Sequence, residues 1–313
     1  MEFIELQDKI FGLYGQQRLD DALQTLQKHE AKFPEHAWGM AYWKLCFQAA
    51  LGKYEAANVT LAAALDNGYW FAENALRTDD DLFNMQPDAE YQALVKRSAA
   101  LQSEAQRAVH PTQILMEPLI GTPPYSTVIA LHGNNATAES VAKYYNLLPE
   151  AGILLAAPQS EQLGSRPDAF VWDDYDEALR VITTHFDELL RSHAVNPARV
   201  VLSGFSMGGQ VAIRLALEGR VPVAGVLAVA PWMGLDETLG YLPPAPPEGS
   251  RLRMVILVGE GDKSALNGCA RLIERLNQYG IEHQFLIYPN LSHSFPPDFE
   301  VVLSRFLSFI LDP

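Results

Sequence analysis

The sequence predicts an all-α helical-repeat domain over residues 1–108, followed by an α/β domain over residues 109–313 with a mostly parallel sheet and helices on both faces. Three observations predict this fold class. The 313 residues fit one large domain or two ordinary ones. Apolar residues in the first part recur at three- and four-residue spacing, as in amphipathic helices. Beyond Val109-His110-Pro111, short β-branched runs alternate with helical stretches, which is typical of a parallel sheet covered by helices.

The first part contains a weak internal repeat. Residues 17–22 are echoed by residues 52–57 at an offset of 35 residues. This pattern resembles the tetratricopeptide repeat, a helix pair with a period of about 34 residues. The first copy of the repeat lacks the glycine of the turn, and the second copy lacks the closing proline. A helical bundle without repeats is therefore the alternative. The resemblance implies a protein partner, or self-association, through these N-terminal helices.

In the second part the sequence predicts strands that are apolar almost throughout, as expected for parallel strands buried on both faces. The predicted strands cover residues 112–116, 127–131, 153–157, 199–203, 224–229, 254–258 and 284–288. The predicted helices cover residues 138–145, 175–193, 208–218 and 266–279. The proline-rich segment from Gly240 to Gly249 is predicted to be a loop, either a lid over the ligand edge of the sheet or a stiff connector.

Composition and charge exclude several classes of function. The chain has 23 Lys and Arg against 38 Asp and Glu, a net charge of −15, and no basic run, so we expect no nucleic-acid partner. No run of about 18 apolar residues predicts a membrane span, and the first residues lack the features of a signal peptide. Cys46 and Cys269 cannot form a disulfide framework. Without paired metal ligands or a nucleotide-binding glycine motif, we expect a cytoplasmic protein with no cofactor, no metal and no membrane insertion.

The most informative motif is Gly204-Phe205-Ser206-Met207-Gly208, between an apolar strand and an amphipathic helix. Glycines flank the serine in such a turn because side chains there would collide with the neighbouring strand and helix. The turn lifts the Ser206 hydroxyl off the sheet, and the following helix directs its free N–H groups towards a developing anion. The motif predicts that Ser206 is a nucleophile, with a purely structural turn as the alternative.

A serine hydroxyl needs a base and an orienting carboxylate to act as a nucleophile. Asp262 and His293 each follow a later predicted strand, so the chain order is serine, aspartate, histidine. We therefore predict that Ser206, Asp262 and His293 form a catalytic triad. Glu260 is the rival carboxylate, and a helix N-cap is the alternative role of Asp262. The histidines predicted to lie on the surface are His185, His193 and His283.

The backbone N–H groups of Met207 and Asn134 are predicted to bind the oxyanion, because Asn134 follows a His-Gly turn after an early strand, where a second donor belongs. His132 is predicted to orient this loop and not to act as a second base. Trp172 and Trp232 are candidate walls of the substrate pocket, with ordinary core or surface aromatics as the alternative. Apolar walls without a cationic clamp favour an uncharged or acyl substrate.

Residues 112–313 resemble the α/β-hydrolase serine esterases, especially the carboxylesterase/phospholipase group, which is acyl-protein-thioesterase-like. The resemblance implies an α/β-hydrolase fold with little or no lid domain, and a cofactor-free serine hydrolase that cleaves esters or thioesters through an acyl-enzyme. The chain departs from the family at Met207, where Gln is frequent, and at Asn134-Asn135, where a Gly-Asp pair is usual. The matching motifs are Leu131-His132-Gly133, Gly204-Phe205-Ser206-Met207-Gly208-Gly209, residues 259–262 and Ser292-His293.

Two alternative functions remain at this level. A peptidase can use the same triad on the same fold. The chain can also be an interaction protein, in which the helical repeats bind a partner and the hydrolase fold is a scaffold. Every expected position of the triad holds a competent residue, and this favours the enzyme.

Overall fold

The computed structural model describes residues 2–234, 247 and 251–312. The chain divides into two compact units. The first comprises Met1–Ala108 and Ser165–Pro167, and the second comprises Val109–Gly164 and Asp168–Pro313. Apart from Pro247, the segment from Gly240 to Gly249 lies outside the described residues, so its predicted lid or connector role stays a prediction.

The first unit is built from α-helices joined by short turns, as the apolar spacing predicts. α1, α2 and α3 bury a core that includes Leu6, Leu26 and Phe47. α3, α4 and α6 bury a second core that includes Leu61 and Val95. The helices of this unit are α1 (Phe3–Gly15), α2 (Leu19–His29), α3 (Ala37–Ala50), α4 (Tyr54–Asp66), α5 (Glu73–Thr78) and α6 (Ala89–Arg107).

The 35-residue repeat recurs in the backbone geometry. α2 begins at Leu19 and α4 at Tyr54, which preserves the offset. Two residues before each helix, Gln17 (φ 60°) and Gly52 (φ 72°) adopt the left-handed conformation. The first copy of the repeat therefore makes the same turn as the second copy, although it has Gln17 where the second copy has a glycine. The tetratricopeptide resemblance itself, with the partner that it implies, stays a prediction.

The second unit contains a seven-stranded sheet with the order β1-β3-β2-β6-β7-β8-β9. Neighbouring strands pair in parallel, except that β1 is antiparallel to β3. All the strands predicted from the sequence lie in this sheet, and the predicted fold class is confirmed. The strands of the sheet are β1 (Gln113–Met116), β2 (Tyr125–Leu131), β3 (Leu154–Pro158), β6 (Val195–Phe205), β7 (Gly225–Val229), β8 (Arg253–Gly259) and β9 (Glu282–Tyr288).

Helices cover both faces of the sheet. Successive side chains of a strand point to opposite faces, so Ile129 and Leu131 of β2 enter one core while Val128 and Ala130 enter another. α8, α9 and α10 pack on the first core, and α7 and α11 pack on the second. The helices are α7 (Ala138–Ala142), α8 (Tyr175–Ser192), α9 (Met207–Leu217), α10 (Lys263–Gln278) and α11 (Phe299–Leu311).

Three elements of the second unit were not predicted. The short strands β4 (Gln162–Leu163) and β5 (Phe170–Val171) form a separate antiparallel hairpin, and α11 was not identified as a helix. Because β2, β6, β7, β8 and β9 run in parallel, their carboxyl ends meet at one edge of the sheet, where the predicted site residues follow them. None of the helices in the described part of the chain combines the length and the apolarity needed to cross a membrane.

Candidate active site

Ser206 lies on the sharp turn between β6 and α9. Its backbone has φ 53° and ψ −119°, and its N–H donates to the carbonyl oxygen of Val229 at 3.0 Å. A Cβ on Gly204 would lie 2.4 Å from the backbone of Gly208, and a Cβ on Gly208 would lie 2.3 Å from the carbonyl oxygen of His132. The turn can form, as predicted, only because both flanking positions lack a side chain.

His293 contacts Ser206 and Asp262 through different ring nitrogens. Nε2 lies 2.9 Å from the Ser206 Oγ, and Nδ1 lies 2.5 Å from the Asp262 Oδ2. The Asp262 side chain is 8% exposed, whereas that of His293 is 43% exposed. The three residues predicted as a triad are thus brought together at the carboxyl edge of the sheet. In such a series of hydrogen bonds the carboxylate can orient the imidazole, and Nε2 can accept the serine proton.

Asp262 makes the contacts of both roles that the sequence allowed, the carboxylate partner of His293 and the N-cap of a helix. Its Oδ2 contacts His293, while its Oδ1 accepts the N–H of Ala265 at 3.2 Å as the N-cap of α10. The rival carboxylate, Glu260, is exposed and faces the N–H of Asn290 at 3.4 Å. The capping bond therefore holds the Asp262 carboxylate in the place where His293 meets it.

Gly259, at the end of β8, allows the loops of Asp262 and His293 to meet. A Cβ on Gly259 would lie 2.3 Å from the carbonyl oxygen of Leu291. The same carbonyl accepts the N–H of Gly261 at 2.8 Å. The loop that carries His293 therefore passes directly against the glycine turn. The sequence does not indicate this close approach of the two loops.

The predicted oxyanion donors belong to segments that adjoin Ser206. Met207 is the first residue of α9, where helix N–H groups have no intrahelical acceptor. Asn134 follows Gly133, whose Cβ position would lie 3.4 Å from the Ser206 Cβ. Within the described residues, neither the Met207 N–H nor the Asn134 N–H donates a hydrogen bond to another residue. Both are available to a ligand oxygen, and their role stays a prediction.

His132 is fully buried, in agreement with a structural role. The N–H of Ser160 donates to its Nε2 at 3.1 Å, so the proton is on Nδ1, which donates to the carbonyl oxygen of Gly133 at 2.7 Å. The side-chain amide of Gln159 also lies 2.9 Å from Nε2. Burial lowers the pKa of His132 to about 4. The ring is therefore neutral at pH 7 and braces the loop that contains Asn134.

The two tryptophans predicted as pocket walls lie in different environments. Trp172 is 2% exposed, and its indole N–H donates to the carbonyl oxygen of His132 at 2.8 Å. This favours the alternative interpretation of Trp172 as a core aromatic, because a buried ring offers little surface to a substrate. Trp232 is partly exposed, and its backbone N–H donates to the carbonyl oxygen of Ser206 at 3.1 Å. The pocket role of Trp232 stays a prediction.

The predicted surface position of His185 is wrong. His185 is 6% exposed, and within the described residues neither of its ring nitrogens has a hydrogen-bond partner. The physical reason is helical spacing: His185 follows Val181 by four residues and precedes Leu189 by four, so it lies on the buried stripe of α8. His193 and His283 are partly exposed.

The sequence did not indicate the polar residues that hold the loop of Asn134. Gln159 and Ser160 directly follow β3, so their position at the carboxyl edge of the sheet is the signal that could have identified them. Asp173 accepts a hydrogen bond from the Asn134 Nδ2 at 2.6 Å. Nothing in the sequence near Asp173 indicates this contact, since it joins residues 39 positions apart.

A separate group of potential metal ligands lies in the first unit. Cys46, Asp79 and Asp81 place ligand atoms within 4.8 Å of one another. The hydroxyl of Tyr14 donates to Asp81 at 2.9 Å, and that of Tyr42 donates to Asp79 at 2.8 Å. Burial raises the pKa of Tyr14 to about 12 and that of the Cys46 thiol above its usual range. Each carboxylate thus already accepts a hydrogen bond from a tyrosine, and we interpret the group as a set of hydrogen bonds that joins neighbouring segments of the first unit.

Family models match both parts of the chain. Residues 2–106 match a family described as the A/B hydrolase-like, N-terminal domain, and residues 156–300 match the dienelactone hydrolase family. Acyl-protein thioesterase 1 of Gibberella zeae is 24% identical over 159 residues, which span 49% of this chain and 67% of the thioesterase. The chain thus has the α/β-hydrolase fold and is similar in sequence to members of two hydrolase families. The alignment covers about two thirds of that relative.

Solved structures share the fold of this α/β-hydrolase. A structure of an uncharacterized protein from Bacillus cereus has a TM-score of 0.53 at 23% identity, and it covers 100% of this chain and 99% of its own. The crystal structure of esterase PE8 has a TM-score of 0.54 at 18% identity and covers 65% of this chain and 100% of its own. At these identities the likeness concerns the fold. The Bacillus cereus protein matches the α/β-hydrolase over its whole length.

Proposed function

We propose that this α/β-hydrolase cleaves carboxylic esters or thioesters through an acyl-enzyme intermediate on Ser206. One observation carries the proposal: Ser206, His293 and Asp262 form a continuous hydrogen-bonded chain with contacts of 2.9 and 2.5 Å. The similarity to a protein named acyl-protein thioesterase 1 extends the substrate class from esters to thioesters.

In the proposed mechanism the Ser206 Oγ attacks the acyl carbon while the His293 Nε2 accepts its proton. Asp262 keeps the imidazole in the tautomer with a proton on Nδ1 and stabilises the imidazolium that forms. The N–H groups of Met207 and Asn134 bind the oxyanion, and each such donor contributes about 2–4 kcal/mol. His293 then gives the proton to the leaving group, and water releases the acyl group by the same steps in reverse.

The charges around the site favour an uncharged acyl substrate. Asp173 and Glu260 are exposed carboxylates on loops of the site. The ammonium group of Lys263 donates to the carbonyl oxygen of Glu260 at 2.8 Å and thereby lies on the same loop. The carboxylates of Asp173 and Glu260 would repel an anionic substrate as it approached, and the ammonium group of Lys263 offsets only part of this repulsion. Trp232 is partly exposed and bonded through its backbone N–H to Ser206, so its indole is a candidate apolar surface for the acyl group.

A fluorophosphonate probe tests the nucleophile. The probe should label the wild-type chain and should not label Ser206→Ala, because no other hydroxyl is hydrogen-bonded to His293 among the described residues. The matched control is Ser264→Ala, which removes a hydroxyl from the first turn of α10 and should leave labelling intact. Persistent labelling of Ser206→Ala would reject the assignment.

A second comparison tests the acid. Asp262→Asn should lower kcat for a p-nitrophenyl ester by about 10⁴-fold, because the amide stabilises the wrong imidazole tautomer. Asparagine is a good N-cap, so α10 and the fold should be retained by circular dichroism. Glu260→Gln is the matched control and should change kcat by less than about threefold. The reverse pattern, with Glu260→Gln inactive and Asp262→Asn active, would show that Glu260 is the acid.

A further inference from the structure

The oxyanion loop, defined here as residues 132–136, lies along residues 170–173, which comprise β5 and the two residues after it. Ala136 and Phe170 exchange two backbone hydrogen bonds, at 3.3 and 3.1 Å. β5 also pairs with β4, so the far end of the loop rests on a hairpin. The loop is therefore attached to a hydrogen-bonded element and not only to the strand that precedes it.

Trp172 extends this attachment to the middle and the start of the oxyanion loop. Its backbone N–H donates to the Asn134 Oδ1 at 2.9 Å. Its indole N–H donates to the carbonyl oxygen of His132 at 2.8 Å. The side chain of Asn134 is thus one of three points at which the loop is held, and it is the point nearest to the N–H assigned to the oxyanion.

The Asn134 side-chain amide is held in one orientation from both ends. The N–H of Trp172 can only donate, so it must meet the amide oxygen. The amide nitrogen then faces the Asp173 Oδ1 at 2.6 Å, and an ionised carboxylate can only accept. Donor and acceptor therefore match at both contacts, and the contact with Asp173 is of the short, charge-assisted kind.

We propose that the Asn134 side chain is a positioning residue that aims its own backbone N–H at the oxyanion, and that Asp173 fixes it in this orientation. The inference rests on the proposed function, because it requires an oxyanion at Ser206. Gly133, which precedes Asn134, has no side chain with which to anchor the shared peptide. Asn135, which follows, adopts the left-handed φ of 55°. The anchored side-chain amide of Asn134 therefore limits the rotation of the peptide group that joins Gly133 to Asn134.

The first test removes the anchor. Asn134→Ala should lower kcat for p-nitrophenyl butyrate by about 10–100-fold, because a donor displaced by about 1 Å loses most of its contribution. KM should change by less than about twofold, since the oxyanion exists only after attack. The matched control is Asn196→Ala at the opposite end of β6, where the side chain accepts the N–H of Ala198 at 3.1 Å, and its kcat should equal that of the wild type.

The second test exchanges the charged and the neutral side chain of the Asn134–Asp173 pair. If this contact were merely structural, the exchange would not change kcat. Asn134→Asp places two carboxylates within hydrogen-bond distance, so they should share a proton at pH 5 and repel each other at pH 8. Relative to the wild type, kcat should fall about tenfold or more between these pH values. The double variant Asn134→Asp/Asp173→Asn restores a matched donor and acceptor. It should recover kcat to within about threefold and lose the added pH dependence.

The outcomes separate this inference from the function on which it rests. If the wild type hydrolyses the ester and Asn134→Ala keeps its kcat within about twofold, the positioning role is overturned alone. A double variant that is no better than Asn134→Asp, with both folded by circular dichroism, would also overturn it. A wild type that neither hydrolyses the ester nor reacts with a fluorophosphonate would overturn the proposed function, and the inference with it.

Discussion

Ser206 holds a backbone conformation that costs free energy. Its φ of 53° and ψ of −119° lie in a region that favours glycine, and such a residue typically costs about 1–3 kcal/mol. Ser206→Gly should therefore raise the free energy of unfolding by about 1 kcal/mol, after the added entropy of glycine in the unfolded chain is subtracted. Ser206→Ala removes the same hydroxyl but keeps the Cβ, so it should not gain this stability. Urea titrations of the two variants measure the difference, and equal midpoints would contradict the strain.

The residues of the candidate site differ in how far the sequence determines them. Ser206, Asp262 and His293 each follow a predicted strand, and parallel strands end at one edge, so their convergence could be inferred. The burial of Trp172 could not, because it depends on the backbone carbonyl of His132, 40 residues away. Tertiary contacts between loops leave no periodic pattern in the sequence.

At the scale of elements, the turn before α2 should tolerate glycine better than its native residue. Gln17 and Gly52 both adopt left-handed φ values, and a Cβ on Gly52 would meet nothing within 4 Å. The two positions therefore differ only in backbone strain, which a side chain at positive φ causes and glycine does not. Gln17→Gly should stabilise the first unit by about 1 kcal/mol, and Gly52→Ala should destabilise it by a similar amount. Thermal unfolding measures both. The same sign of change in the two variants would show that the turns are not equivalent.

The elements that the sequence failed to predict are those with the weakest local signal. β4 and β5 have two residues each, which is too short for a period of two to be recognised. Their pairing depends on the loop bonds of Ala136 and Phe170. The longer strands of the sheet were predicted because each is an apolar run bounded by turn residues. The hairpin thus supports the site without any pattern of its own.

At the scale of the whole molecule, each hydrophobic core is built from one unit only. The buried apolar side chains of the cores lie between Leu6 and Val95 in the first unit and between Val128 and Leu311 in the second. We therefore propose residues 1–108 and 109–313 as two domains. Residues 109–313 expressed alone should unfold cooperatively and keep the ester hydrolysis of the full chain. Loss of the cooperative transition in this fragment would contradict the proposal.

Two buried histidines should make the second unit sensitive to acid. Burial lowers the pKa of His132 to about 4 and that of His185 below its usual value. A histidine in the unfolded chain has a pKa of about 6.5. Between this pH and the lower pKa of the folded state, each histidine therefore binds more protons when the chain is unfolded. Their contribution to stability is thus fully present above about pH 6.5 and is lost as the pH falls. Each group should lower the free energy of unfolding by up to about 1.4 kcal/mol per pH unit.

His185→Leu isolates one of these two groups. Leucine suits the buried stripe of α8, and the ring nitrogens of His185 have no hydrogen-bond partner to lose within the described residues. Stability at pH 7 should therefore be kept or raised, while the loss between pH 6.5 and 5 should be smaller than in the wild type. Urea midpoints at several pH values measure this, with His110→Leu at an exposed position as the control. If His185→Leu loses stability as steeply as the wild type does, His185 takes up no proton on unfolding, and the acid sensitivity has another source.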